Sequence, residues 1–105
     1  MQSITPLQLK RNLEDGAAPE LVDVREPWEF ATCHIEGSIN LPMSVIVSQY
    51  QRLNPRTEKV FICHHGVRSG QVARFLHSIG FESVINLEGG IDLWAATVAP
   101  EMPRY

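Results

Sequence analysis

The chain has 105 residues, 44% of them hydrophobic, and a formal net charge of -3, the size and apolar content of one packed domain over residues 1–105. That charge gives no general attraction to phosphate backbones or anionic lipid, so neither nucleic acid nor a membrane surface is an expected partner. Met1-Gln2-Ser3-Ile4-Thr5-Pro6 has no basic stretch followed by an apolar run, no run reaches membrane-spanning length, and the two cysteines, Cys33 and Cys63, are too few for a disulfide framework, so a soluble cytoplasmic protein is expected, with a single structural disulfide as the lesser alternative.

Ile4-Thr5-Pro6-Leu7-Gln8-Leu9 holds a complete helix start, with Thr5 as N-cap, Pro6 at the first position, Gln8 closing a capping box and Ile4 stapling onto Leu9. Gly16 suits the exit. Leu21-Val22-Asp23-Val24 reads as a short buried strand, and Glu26-Pro27-Trp28-Glu29-Phe30-Ala31 as one or two helical turns. Ser38-Ile39-Asn40-Leu41 is a second strand, ended by Pro42. Residues 45–53 carry Ile46, Tyr50 and Leu53 at helical spacing, and Asn54-Pro55-Arg56-Thr57 turns the chain.

Lys59-Val60-Phe61-Ile62-Cys63 is the third strand. It passes through His64-His65-Gly66-Val67-Arg68-Ser69-Gly70 into a helix whose Val72, Phe75, Leu76 and Ile79 fall on one face, with Gly80 as its left-handed cap. Residues 83–87 supply a fourth strand, Glu88-Gly89-Gly90 a turn, and residues 91–96 a closing helix before a tail containing proline. Strands separated by helices imply an α/β fold with an open, mainly parallel sheet, whose sites lie at the carboxyl ends of strands. Cys63 stands at such an end. Successive loop amides and a helix N-terminus favour negative charge there, and a thiolate is such a charge, so Cys63 reads as a nucleophile in an anion cradle closed by Arg68.

Cys63-His64-His65-Gly66-Val67-Arg68-Ser69 resembles the active-site loop of the rhodanese homology domain, the single-domain sulfurtransferases. Asp23-Val24-Arg25-Glu26-Pro27-Trp28-Glu29-Phe30 with His34-Ile35-Glu36-Gly37-Ser38-Ile39-Asn40-Leu41-Pro42 is similar to that family's first signature, and Leu87-Glu88-Gly89-Gly90-Ile91-Asp92-Leu93-Trp94 to its last. One position departs. The family commonly has glycine where this chain has Cys33, so if that site needs positive φ a side chain there is strained.

The resemblance implies a five-stranded parallel sheet with helices on both faces and ping-pong transfer of a sulfane sulfur. The donor is a small anion such as thiosulfate, Cys63 carries the sulfur as a persulfide, and a thiol or cyanide accepts it; no cofactor is expected. Arg68 would hold the donor's oxyanion end by paired hydrogen bonds, while the amides of His64, His65, Gly66, Val67 and Arg68, with Ser69 following, line the cradle. His64 and His65 either tune the thiolate and bind the donor when protonated or simply face solvent, and Asp23 with Arg25 forms either a structural pair or part of the rim.

Other functions stay open beside this one. The cell-cycle dual-specificity phosphatases have a loop one residue longer, and the four residues between Cys63 and Arg68 form a smaller ring that suits a sulfur better than a phosphate. That places phosphatase and arsenate-reductase activities behind sulfur transfer. A non-catalytic binding or regulatory module needs no thiol, and a relay passing sulfur between proteins uses the same residues. Zinc is not expected at Cys33-His34 or Cys63-His64-His65, since adjacent residues on extended backbone point apart. A redox pair of Cys33 and Cys63 would require the two to lie close together.

Overall fold

Short apolar runs alternating with helices give strands that pair in one direction, and the computed structural model, which describes residues 2–105, shows that arrangement. Met1 lies outside the described residues. In chain order the elements are β1 (Gln2–Ile4), α1 (Pro6–Glu14), β2 (Glu20–Asp23), α2 (Pro27–Thr32), β3 (Ile39–Asn40), a 3-10 turn (Met43–Val45), α3 (Ile46–Gln49), a second 3-10 turn (Tyr50–Arg52), β4 (Lys59–Ile62), α4 (Val67–Ser78), β5 (Val84–Leu87) and α5 (Gly90–Thr97). The strands form one five-stranded sheet in the order β1-β5-β4-β2-β3, and every neighbouring pair is parallel.

Side chains alternate across a strand, so the register sorts the core into two layers. Val22, Phe61, Cys63 and Val84 pack on one face against Ile46 of α3 and Val72, Ala73 and Leu76 of α4. Leu21, Val60, Ile62 and Ile85 pack on the other against Leu9 of α1 and Ile91 and Trp94 of α5. Phe61 and Ile62 have no exposed surface, and burial of such a side chain is worth about 1.5–3 kcal/mol. Among the described residues no helix is long and apolar enough to cross a membrane.

The start of α1 forms as its sequence dictates, with Gln8 N–H on Thr5 Oγ1 at 3.2 Å and Thr5 N–H on Gln8 Oε1 at 3.0 Å. Three features differ from the sequence reading. The edge strand β1 was not legible, because Gln2-Ser3-Ile4 carries a single buried apolar residue and gains its order only by pairing with β5. Ile79 is 44% exposed instead of joining the buried face of α4. That helix ends at Ser78, Gly80 turns the chain at φ 105, and Phe81 fills the core, its N–H bonded to Leu76 C=O at 3.0 Å. Cys33 sits at φ -165, extended backbone open to any residue, so no strain arises where the family commonly has glycine.

Candidate active site

The carboxyl ends of β2, β4 and β5 bring three connections together, and Cys63 lies at the middle one. The turn after Ile62 reverses tightly because Gly66 takes φ 102, a left-handed conformation that glycine adopts without strain. This aims the Gly66 N–H at Cys63 Sγ, 3.0 Å away, while Ser69 Oγ stands 3.2 Å from the same sulfur. Both donors belong to the opening of α4, whose partial positive charge favours an anion at that point. Cys63 is 1% exposed.

Two neighbours hold the loop in place. Asn86 of β5 donates from Nδ2 to Gly66 C=O at 3.0 Å and accepts from Ser69 Oγ at 2.5 Å. Ser69 has one hydroxyl hydrogen, which serves either Asn86 or a sulfur anion. The first turn of α5 holds the other side: Ile91 N–H bonds Cys63 C=O at 2.8 Å, and Asp92 N–H bonds His64 C=O at 3.1 Å. At Gly90, φ is 60 and an added Cβ would fall on the carbonyls of Cys63 and His64. Gly90→Ala should therefore cost about 2–4 kcal/mol from backbone strain and overpacking together. Urea unfolding reads that loss, and wild-type stability would show that the helix does not clamp the loop.

Arg68 is engaged by a carboxylate that the sequence reading did not single out. Its Nη1 and Nη2 donate to Glu29 Oε1 and Oε2 at 2.8 and 3.0 Å, and Glu29 is 4% exposed. The bonds from Arg68 hold Glu29 at a pKa of about 2, against the opposing effect of burial. Reciprocally, Glu29 raises the Arg68 pKa, and the neighbouring Cys63 and Tyr105 raise it further. Asp23 and Arg25 form a structural pair with neither side chain exposed, Nη2 to Oδ2 at 2.7 Å, and Arg25 Nη2 also donates to Cys33 C=O at 2.6 Å. Both arginines near the loop thus have their charge balanced locally.

His64 and His65 stack on one another with ring centroids 4.0 Å apart, so these adjacent side chains point the same way, contrary to the expectation drawn from extended backbone. Burial, with His65 nearby, lowers the His64 pKa, against the opposing effect of Asp92 and Glu29. His65 Nε2 lies 3.8 Å from Asp92 Oδ2. One ligand atom from each of His64, His65 and Asp92 lies within 4.8 Å of the others, a donor set of nitrogen and oxygen that suits a transition metal. Arg104 already occupies Asp92 Oδ1 at 2.8 Å, so a cation would compete with a guanidinium. Cys33 and Cys63 are both free and belong to the clusters on opposite faces of the sheet, which removes the redox pair between them.

Of the residues marked in the sequence, Cys63, Gly66 and Ser69 meet at the sulfur, Arg68 turns to Glu29, His64 and His65 stack on one another within the same loop, and Val67 opens α4 with its side chain exposed. Glu29, Asn86, Asp92 and Tyr105 were missed as site residues. Asn86 did leave a trace, since a polar residue interrupts the otherwise apolar Val84-Ile85-Asn86-Leu87.

A central parallel strand that ends on a buried cysteine, in a loop whose amide meets the sulfur and whose arginine closes the turn, defines a thiol-centred α/β domain. Residues 5–97 match the Rhodanese-like domain family, and the chain belongs to that family. It is 37% identical over 98 residues to the thiosulfate sulfurtransferase GlpE of Pseudomonas fluorescens, covering 93% of this chain and 88% of that one. It is also 35% identical over 105 residues to a Mycobacterium tuberculosis protein named "Probable adenylyltransferase/sulfurtransferase MoeZ", covering 98% of this chain but only 27% of that one. The chain thus spans about a quarter of that relative's length. Among solved structures, a rhodanese-related protein from Thermoplasma volcanium superposes with a TM-score of 0.86 at 33% identity, covering 95% of this chain and 96% of that one. A rhodanese-like domain protein from Staphylococcus aureus gives 0.84 at 33% identity, with 90% and 91% covered.

Proposed function

We propose that this chain is a sulfurtransferase that carries sulfur as a persulfide on Cys63. The observation that supports this most is the Gly66 N–H donating to the Cys63 sulfur at 3.0 Å at the opening of α4, with Ser69 Oγ 3.2 Å from the same sulfur and able to turn its hydrogen from Asn86 to an anion there. The Cys63 thiolate attacks the outer sulfur of thiosulfate; a sulfur–sulfur bond forms to the enzyme while the one within thiosulfate breaks, and sulfite leaves with the bonding pair. The persulfide carries its charge on the added sulfur, where the loop's donors serve as an oxyanion hole serves an alkoxide. Cyanide or a thiolate then attacks that sulfur and releases the Cys63 thiolate.

Membership of a family with a relative named thiosulfate sulfurtransferase supports thiosulfate as the donor, and the relative named for both adenylyl and sulfur transfer supports a relay to another protein. The low exposure of Cys63 fits a persulfide shielded from casual reduction. Steady-state transfer from thiosulfate to cyanide tests the two-displacement route. Parallel double-reciprocal lines are expected; intersecting lines would mean that both substrates bind before any sulfur moves.

A further inference from the structure

Residues 104 and 105 return across the site and touch three of its connections. Arg104 donates to Asp92 Oδ1 on α5 at 2.8 Å. Tyr105 stacks on His64 of the reactive loop, with ring centroids 4.2 Å apart and planes 15° from parallel, and meets Trp28 of α2 edge-on at 5.6 Å. Its hydroxyl accepts from Arg25 Nη1 at 2.9 Å and donates to Glu29 Oε2 at 2.7 Å. Glu29 Oε2 is the oxygen that also takes Arg68 Nη2. A hydrogen-bonded chain therefore runs from Arg25 through Tyr105 and Glu29 to Arg68, the residue that closes the cradle.

We infer that Tyr105 is a positioning residue for anionic substrates: by donating to Glu29 it shares the carboxylate's charge and leaves the Arg68 guanidinium freer to meet an anion at Cys63. This rests on the sulfurtransferase reading for its substrate but not for its geometry. A carboxylate stripped of the phenolic donor concentrates its charge on its remaining partners, chiefly Arg68, and draws the guanidinium away from the loop. Burial and the bond to Glu29 push the Tyr105 pKa up to about 12, so the hydroxyl keeps its proton and remains a donor through the neutral range.

Tyr105→Phe removes the hydroxyl and keeps the ring on His64. Tyr105 is 39% exposed and belongs to neither core cluster, so the variant should fold, with a melting temperature lowered by a few degrees because the buried Arg25 and Glu29 each lose a partner. The KM for thiosulfate should rise about three- to tenfold with kcat within about twofold, since binding of the anion is affected and the nucleophile is not. The second measurement needs no sulfur transfer: the alkylation rate of Cys63 by anionic iodoacetate relative to neutral iodoacetamide should fall by a similar factor. A ratio in Tyr105→Phe equal to that of the wild type overturns the assignment whatever the kinetics show. If the wild type takes no sulfur from thiosulfate, the sulfurtransferase reading fails, and the alkylation ratio still decides the role of Tyr105.

Discussion

Cys63→Ser is expected to abolish transfer of sulfur from thiosulfate, with a loss of at least about a thousandfold in kcat/KM. The substitution is close to isosteric, and its oxygen still accepts from Gly66 N–H and faces Ser69 Oγ, the two contacts now made by the sulfur at 3.0 and 3.2 Å. Folding stability should change by about 1 kcal/mol or less. On the proposed reading what disappears is a soft nucleophile: a serine hydroxyl stays protonated at neutral pH, and among the described residues the hydrogen-bond partners of Cys63 Sγ are Gly66 N–H and Ser69 Oγ, neither of them a general base. Loss of activity together with loss of structure would instead mean that the thiol matters for packing on the α4 face. A folded variant that retained transfer would require another sulfur carrier.

The second large effect concerns Arg68. Arg68→Ala leaves the carboxylate of Glu29, only 4% exposed, without its bidentate partner. Removing one member of a buried pair commonly costs about 3–5 kcal/mol; the partial exposure of Arg68 reduces the expectation to about 2–3 kcal/mol. Glu29→Gln in the same background should recover part of that loss, since a neutral amide does not need the cation. The pH dependence has a definite sign. Glu29 titrates at about 2 in the fold against an ordinary 4.5, so the wild type has this stabilisation in full above about pH 4.5 and loses it as the pH falls towards 2. Because the bonds from Arg68 are the largest cause of that low value, the acid-dependent loss should shrink in Arg68→Ala. Urea unfolding at several pH values between 7 and 3 measures both effects. If the guanidinium acts on the oxyanion end, as the proposed function has it, turnover with thiosulfate should fall more than turnover with an uncharged donor. Equal losses would assign Arg68 to holding Glu29 alone.

Much of the candidate site's geometry was legible because its residues are local in the chain. Thr5 and Gln8, the apolar run ending at Cys63, and the glycine at position 66 each announce a backbone state through their own side chains or lack of one. Cys63, Gly66, Arg68 and Ser69 lie within seven consecutive positions, and their resemblance to the rhodanese loop marked them out together. What stayed hidden depends on distance along the chain. Glu29 lies 39 residues from Arg68, and Tyr105 lies 76 from Glu29; no periodicity or spacing links such positions. The strand β1 was missed for the same reason, since its order comes from β5 at the other end of the chain. The opposite placement of Cys33, which caps α2, and Cys63, which follows β4, depends on the core layer each joins, and that is fixed only by the packed fold.

The paired histidines show the limit of a rule taken out of context. Side chains of adjacent residues diverge on extended backbone, but His64 and His65 lie in a turn held from below by Asp92 N–H on His64 C=O, and there the rings stack. Their neighbour Asp92 has its pKa lowered, first by the bond from Arg104, so the carboxylate stays charged and available to His65 at 3.8 Å.

The most direct test treats the protein with a slight excess of thiosulfate and no acceptor, measures sulfite released, and maps the added mass by peptide. One sulfite per chain, with a single extra sulfur atom on the peptide containing Cys63 and none on that containing Cys33, is the expected result. Sulfite without an adduct, or sulfur carried on Cys33, would contradict a persulfide held at the end of β4.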